Sequence, residues 1–396
     1  MAATVIVIDA LRRFLPAHLR DHRHAMGEAQ RRAAWAITHC RTEEMGGHLY
    51  ACECGKREFH FHSCNHRSCP QCGKDATAQW VERELGKRVG APYFMVTFTL
   101  PAELRPLFFT REAKEIYQIF FKAASSALSD TLANPKWLGA KTSGFTMVLH
   151  TWNQQLHFHP HIHCIVPGAG IDATGRVVTV KNENFLVPQP ALRSIFRARF
   201  RDGFTALAVL VAADPDKKQA LPSIDPAVWQ KDWGVDMKPF GSGENIIKYL
   251  GAYVCRTAIG DSRILSVSET HVRFRWKDRA HGDAQRVENL EGGEFVKRYL
   301  RHVLPRGMRA VRYFGFCHPA AKAKRERIAF HTGRPLHIGA AAVVPEKPPH
   351  VVACPCCGEP MRKLLRLLPA WSPNFAKASM AKPSRAPPAL KKKSCA

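Results

Sequence analysis

The sequence contains no apolar run of about 18 residues, which is the length that a membrane-spanning helix requires. We therefore expect no membrane segment. The first residues show no basic segment before an apolar core and no small-residue cleavage site, so we interpret them as mature protein rather than as a secretory signal. A G-x-x-x-x-G-K-[ST] nucleotide-binding loop is also absent, which argues against a reaction driven by ATP.

Acidic residues are scarce: 33 Asp and Glu stand against 59 Lys and Arg, which gives a formal charge of +26. Such an excess of positive charge favours an anionic polymer as partner, and nucleic acid is the first candidate. Hydrophobic residues make up 45% of the 396 positions, enough to form cores in two or three domains. Helical and strand patterns mix without strict βαβ alternation, so we predict an α+β fold.

The periodicity of apolar residues predicts the main elements. Helices are predicted over residues 10–39, 75–89, 111–128, 190–210, 242–258 and 294–304. Strands are predicted over residues 93–100, 144–152, 160–168 and 271–278. Beyond about Pro345 the composition changes to Pro, Ala and Lys, which predicts a basic, partly disordered end around a small cysteine cluster.

Thirteen cysteines occur, and nine of them lie in two short clusters, at residues 40–72 and 354–357. Such close spacing indicates metal thiolates in a reducing compartment rather than disulfides, although buried free thiols are the simpler alternative. In the first cluster a C-x-C pair and the C-x-x-C pair of CPQC can form one structural zinc site. The zinc-ligand candidates are Cys52, Cys54, Cys64, Cys69 and Cys72, with Cys40 or a nearby histidine as a substitute. Enough ligands are present for a second Zn²⁺, so the number of ions stays open.

The segment LHFHPHIHCIVPGAG holds four histidines at alternate positions, His157, His159, His161 and His163. Alternate residues of a strand face the same way about 6.5–7 Å apart, so neighbours can share an ion, whereas the outer two, about 20 Å apart, cannot. Pro160 lacks an N–H group, so the central part of the strand should begin near it. His161 and His163 are therefore the best metal-ligand pair, although an isolated H-x-H is often a pair of ordinary polar residues.

Tyrosine is rare, with seven in the chain, yet two of them lie four residues apart in NIIKYLGAYV. On a helix this spacing places Tyr249 and Tyr253 on one face, although a pair of core aromatics has the same spacing. Lys248 and Arg256 nearby are candidates for holding a DNA phosphate. A tyrosine oxygen that attacks a metal-polarised phosphodiester would form a phosphotyrosine and conserve the bond energy, so no ATP is needed.

These features in this order resemble the transposases of rolling-circle insertion sequences, which carry an HUH single-strand endonuclease domain with two tyrosines. The resemblance rests on SCNHRSCPQC, FMVTFTLP, HPHIHCIVPGAG and YLGAY. It implies an HUH-nuclease-type antiparallel sheet flanked by helices and preceded by a small helical, zinc-binding module that binds DNA. We accordingly predict a zinc module over 1–88, a nuclease domain over 89–320 and a C-terminal tail over 321–396.

The resemblance implies that His161 and His163 hold a catalytic Mg²⁺ or Mn²⁺ and that Tyr249 and Tyr253 are the nucleophiles. Family members nick single-stranded DNA at an element end, form a 5′-phosphotyrosine and transfer the strand to target DNA, while host machinery supplies replication. Related nucleases place a further polar ligand at the position of Gln154, seven residues before His161. The spacing does not show which tyrosine attacks first. Such a protein would act at the nucleoid in the bacterial cytoplasm.

Relatives usually have C-x-x-C where this chain has Cys52 and Cys54, and often His where it has Ser68, so the zinc site is expected to be rearranged. The second cluster, CPCCGEPM, has no cysteine pair after it, so we do not expect a complete zinc site there.

Two other functional classes stay open. One is a non-catalytic, zinc-dependent DNA-binding protein derived from such a transposase, which would bind DNA without nicking it. The other is a zinc hydrolase of small molecules, but no Asp or Glu lies between Thr146 and Ile171 to act as a nearby base.

Overall fold

The computed structural model describes residues 6–216, 220–254, 258–333 and 351–369. Its helices are α1 (Val7–His22), α2 (Glu28–His39), α3 (Gly73–Gly86), α4 (Ala113–Ala133), α5 (Gln189–Ala213), α6 (Glu244–Val254), α7 (Gly292–Leu300) and α8 (Lys322–His331). Its strands are β1 (Gly47–Ala51), β2 (Arg57–Phe61), β3 (Tyr93–Thr99), β4 (Gly144–Trp152), β5 (Phe158–Pro167), β6 (Ala169–Ile171), β7 (Val177–Thr179), β8 (Gly234–Pro239), β9 (Ile264–Val267), β10 (His271–Asp278), β11 (Ala284–Glu291), β12 (Val311–Gly315) and β13 (Arg362–Leu367). Among the described residues, no helix has both the length and the apolar character to span a membrane.

A five-stranded antiparallel sheet in the order β12-β4-β5-β3-β8 forms the centre of the chain. Because successive side chains of a strand point to opposite faces, the sheet contributes to two cores. Phe94, Phe98 and Ile162 pack with α4 and α5 on one face. Tyr93 and Ile165 pack with α3 and α6 on the other. The predicted α+β class, with an antiparallel sheet flanked by helices, is confirmed.

The N-terminal helices pack against a second sheet, in the order β11-β10-β9, and against α7. Leu11 and Leu15 of α1 share an apolar core with Phe274 of β10 and Phe295 of α7. Residues from both sides of the predicted boundary at residue 88 therefore pack together. The three predicted domain limits stay predictions.

The single helix predicted over residues 10–39 is two helices in the structure. A short 3₁₀ turn, Arg23–Ala25, follows α1, and Met26 and Gly27 then adopt extended backbone before α2 begins. The histidine strand also differs, because β5 begins at Phe158 and includes Pro160. Pro160 lies one residue before the last residue paired with β3, His161, and within an irregularity of the pairing with β4. A proline is tolerated where a ladder hydrogen bond is not required.

Residues 351–369, inside the predicted flexible end, form a turn and strand β13. This strand pairs antiparallel with β1 of the N-terminal hairpin and completes a sheet in the order β13-β1-β2. The rest of that predicted end, residues 346–350 and 370–396, lies outside the described residues.

At Gly251, α6 packs closely against α3. A side chain at this position would overlap with α3. A Cβ atom at position 251 would lie 2.0 Å from Cγ2 of Val81.

We predict that Gly251→Ala lowers the free energy of unfolding by about 1–3 kcal/mol, because overpacking costs more than the helix propensity of alanine gains. Urea denaturation measures this change. In the matched variant Gly86→Ala, the new Cβ meets nothing within 4 Å, so stability should be unchanged or higher. Equal stability of the two variants would contradict the close approach of α3 and α6.

Candidate active site and zinc sites

Three histidines, of which His150 is buried, meet on the face of the central sheet that α6 covers. His150 on β4 lies directly opposite His161 on β5, and His163 is the next residue of β5 on the same face. Their ring centroids are separated by 5.3 Å (His150 to His161), 4.7 Å (His150 to His163) and 4.8 Å (His161 to His163). One nitrogen from each ring lies within 4.8 Å of the others, so the three can hold one ion.

Hydrogen bonds fix the orientation of two of these rings. His161 donates from Nδ1 to the carbonyl oxygen of His159 at 2.7 Å, which leaves Nε2 as the metal-binding nitrogen. Nδ1 of His163 is 2.9 Å from the Thr97 hydroxyl. Burial lowers the pKa of His161 to about 4, and burial also lowers the pKa values of His150 and His163 well below the ordinary value. All three rings are therefore neutral at pH 7, which is the form that binds divalent metals.

Tyr249 and the three histidines line one cavity, which has a volume of about 420 Å³. Tyr249 projects from α6 and is 39% exposed, so its ring lies at the open side of the cavity. Tyr253 lies one turn further along α6, but its side chain is outside the described residues. The structure thus joins one of the two predicted nucleophiles to both predicted metal ligands.

The other predicted site residues have different surroundings. Gln154, in the turn between β4 and β5, lines the cavity, and its backbone carbonyl accepts a hydrogen bond from Arg263. Lys248 is exposed and forms an ion pair with Glu244 at 2.6 Å. It is not among the described residues that line the cavity. Arg256 lies outside the described residues.

The two histidines that precede the pair His161 and His163 in sequence, His157 and His159, have different surroundings. His159 lines the cavity, and its Nδ1 is 2.9 Å from an Arg105 guanidinium nitrogen. His157 is exposed, and its backbone N–H donates to the Asn153 side-chain oxygen at 2.9 Å.

Sequence analysis missed His150 and four charged residues of the cavity. His150 lies in the predicted strand GFTMVLHTW, so its presence in the sheet could be expected. Its position opposite His161 could not, because that position depends on the register of β4 and β5. The charged residues come from β8, from β10 and from the 3₁₀ turn after β10: Asp236, Lys238, Lys277 and Arg279. Asp236 and Lys238 are on β8, which was not predicted as a strand.

Four cysteines from two segments, the end of α2 and the connection between β2 and α3, form a first group of possible zinc ligands, Cys40, Cys64, Cys69 and Cys72. The Cys72 sulfur is 3.6 Å from that of Cys40 and 3.7 Å from that of Cys64. Sulfurs bound tetrahedrally at about 2.3 Å from zinc lie about 3.8 Å apart, so the group has the size of a zinc site. A hydrogen bond from the Cys64 thiol lowers the pKa of Cys69, which favours a thiolate there.

The structure separates the C-x-C and C-x-x-C pairs, which the sequence analysis had combined in one site. Cys52 and Cys54 lie at the turn of the β1–β2 hairpin, whereas Cys40 and Cys64 lie beside its open end. A strand of five residues spans about 16 Å, far more than the separation between ligands of one ion. Cys40 completes the first group.

Cys52 and Cys54 are grouped instead with Cys354 and Cys357 of the second cluster. The expectation that this cluster has no complete ligand set is therefore corrected. Its partner pair comes earlier in the chain rather than after it, and Cys54 precedes Cys354 by 300 residues.

Comparisons with known proteins identify the family of the chain. A family described as "Transposase zinc-binding domain" matches residues 10–100, and one described as "Putative transposase" matches residues 144–326. The "Putative transposase y4qJ" of Sinorhizobium fredii is 37% identical over 324 residues, 78% of this chain and 79% of that protein. The "Transposase for insertion sequence element IS801" of Pseudomonas savastanoi pv. phaseolicola is 28% identical over 291 residues, 70% of this chain and 67% of that protein. No solved structure matches the chain significantly.

The two family matches, one over the zinc-binding region and one over the part of the chain that contains β4, β5 and α6, identify a DNA transposase with a zinc-binding domain. The chain belongs to the IS91 family of insertion-sequence transposases, which moves DNA by rolling-circle transposition. The resemblance noted in the sequence is confirmed, and transposases of this kind bind DNA at the ends of their element. The zinc-binding domain and the cysteine groups together support Zn²⁺ as a cofactor.

We predict that Cys69→Ser removes one zinc ion per chain and lowers the free energy of unfolding by more than about 4 kcal/mol, because metal binding at such a site is coupled to folding. Elemental analysis and urea denaturation measure the two effects. Cys317→Ser is the control, since Cys317 belongs to neither cysteine group among the described residues. Unchanged zinc content in Cys69→Ser would exclude this residue as a ligand.

Proposed function

We propose that this transposase is an HUH-type single-strand DNA endonuclease and strand transferase in which Tyr249 attacks the DNA backbone. The observation that carries the proposal is the common cavity of Tyr249 and the three histidines. The tyrosine oxygen would bond to phosphorus as the bond from phosphorus to the 3′-oxygen breaks. The products would be a 5′-phosphotyrosine and a free 3′-hydroxyl, which takes up a proton. No energy from ATP is required, because one phosphodiester replaces another.

The residues around the histidines fit a divalent cation. Three neutral imidazoles, from His150, His161 and His163, lie close enough together to share one ion, and Gln154 lines the same cavity. A bound Mg²⁺ or Mn²⁺ would polarise a phosphate oxygen and so favour attack at phosphorus. The hydrogen bond from His161 to the His159 carbonyl and the contact of His163 with Thr97 hold two rings in place before the ion binds.

Positive charge at the cavity suits a DNA phosphate. Lys238, Lys277 and Arg279 line it, whereas only Asp236 supplies a carboxylate among the described lining residues. Asp236 is 3.6 Å from Lys238, which compensates its charge. These cations are better placed than Lys248, which is not among the described residues that line the cavity. Arg256 stays a candidate from the sequence.

Tyr253 would be the second nucleophile, because it lies one helical turn from Tyr249 on α6. Two nucleophiles would allow a first cut at the element and a second at the target. The reaction would thus use single-stranded DNA at the element ends and in the target, with replication supplied by the host at the nucleoid.

The test is a covalent-adduct assay with Mn²⁺ and 3′-labelled single-stranded oligonucleotides that tile the DNA flanking the gene. We predict a labelled protein band on a denaturing gel, a reduced yield in each of Tyr249→Phe and Tyr253→Phe, and no band in the double variant. Phenylalanine removes only the hydroxyl group that would attack. Tyr50→Phe, on β1 and outside the cavity lining, should behave as the unaltered chain.

An adduct that survives the double change would contradict the assignment of the nucleophiles. Binding of the oligonucleotide without any adduct would favour the alternative, a non-catalytic DNA-binding protein derived from a transposase.

We predict that His150→Ala weakens Mn²⁺ binding by at least about 10–100-fold, because one of three converging imidazole ligands is lost and even the outer partners of metal ligands contribute that much. Titration of the zinc-loaded chain, followed by the electron paramagnetic resonance signal of free Mn²⁺, measures the affinity. His157→Ala is the matched control, since His157 is exposed and outside the cavity lining. Equal affinities of the two variants would remove His150 from the ligand set.

A further inference from the structure

The second cysteine group joins two parts of the chain that are far apart in sequence. Cys52 and Cys54 follow β1, and Cys354 and Cys357 come shortly before β13. The zinc-binding family match ends at residue 100, so it does not reach the second pair. A complete ligand set exists only when the C-terminal segment lies on the N-terminal hairpin.

The sulfur positions have the dimensions of a tetrahedral zinc site. The Cys52 sulfur is 3.4 Å from that of Cys357, and the Cys54 sulfur is 3.6 Å from that of Cys354. Both values are close to the separation of about 3.8 Å that tetrahedral Zn–S bonds of about 2.3 Å require. All four sulfurs lie within 4.8 Å of one another.

Each cysteine pair is held in a tight turn that ends at a glycine. In the first turn the Gly55 N–H donates to the Cys52 carbonyl at 3.0 Å, and in the second the Gly358 N–H donates to the Cys354 carbonyl at 2.9 Å. Gly55 and Gly358 have φ values of 89° and 77°, which favour glycine. Both turns therefore present two thiols on the outside of a backbone loop, as metal-binding knuckles do.

Apolar burial alone is a weak explanation for the docking of this segment. The core at the junction contains four buried residues, Cys52, Val352, Cys354 and Met361, and two of them are the cysteines themselves. Such a small core is below the size at which folded units are stable without a metal or a disulfide. The strand pairing of β13 with β1 adds hydrogen bonds but little further apolar burial, because Leu365 is 44% exposed.

We propose that Cys52, Cys54, Cys354 and Cys357 bind a second zinc ion, which holds the C-terminal segment and its strand β13 on the N-terminal hairpin. The thiols release their protons to solvent as the four sulfurs bind the ion. The closed set of four thiolates leaves no position for substrate, so the site is structural. It fixes Lys363 and Arg366 of β13 beside His48 of β1, where Nζ of Lys363 is 3.3 Å from Nε2 of His48.

The first experiment counts thiolate-bound metal in the full chain after exchange of zinc for Co²⁺. Thiolate-to-cobalt charge-transfer absorption excludes any ion at the histidines from the count. We expect two such ions per chain, and one in the double variant Cys354→Ser, Cys357→Ser. Cys317→Ser is the control, because Cys317 belongs to neither cysteine group among the described residues, and it should retain both ions. The same cobalt content in the unaltered chain and the double variant would overturn the proposal.

The second experiment tests whether the ion holds the segment in place. A protease recognition sequence is inserted between Pro345 and Glu346, and the cleaved chain is analysed by gel filtration under reducing conditions. We expect the C-terminal fragment to remain with the rest of the chain, and to separate in the double variant or after a chelator. Retention in the double variant, or separation in the unaltered chain, would contradict the proposal. Neither experiment depends on DNA cleavage, so its outcome is independent of the proposed nuclease activity.

Discussion

The antiparallel register of β4 with β5 is the constraint on which the candidate active site depends. It places His150 directly opposite His161, and strand alternation then turns His163 to the same face. A shift of either strand by one residue would send these side chains to the opposite face, into the core with α4 and α5. Because both faces of the sheet are covered by helices, the apolar residues of the two strands hold the register firmly.

The helix α6 supplies the second half of the site. Its apolar residues Ile246, Ile247 and Leu250 pack on the sheet, so that Tyr249 is left at the edge of the cavity. Gly251 allows α3 to lie close against α6 and so supports this position. The geometry of the proposed reaction is therefore a product of ordinary packing, in which one helix positions a phenol above a sheet that carries imidazoles.

Much of this arrangement could be predicted from the sequence, because it depends on local patterns. The strands of residues 144–152 and 271–278, the histidine pair and the tyrosine spacing are all properties of short segments. His150 and the cavity cations could not be assigned, because their place depends on which strands are neighbours and in what register. The prediction of the zinc ligands failed for a similar reason. Cys52 and Cys54 looked like partners of Cys69 and Cys72 by proximity in sequence, but the hairpin keeps the two pairs apart, and Cys354 and Cys357 lie beside the first pair.

The central claim is that Tyr249 forms the bond to DNA, and the most direct measurement is mass spectrometry of the covalent adduct after nuclease and trypsin digestion. Trypsin cuts after Lys248 and Arg256, so both tyrosines lie on one peptide, and fragmentation locates the nucleotide on it. We predict a 5′-phosphate linked to Tyr249 in a population of adducts. A nucleotide found on Tyr253 alone, or only on residues outside this peptide, would contradict the claim.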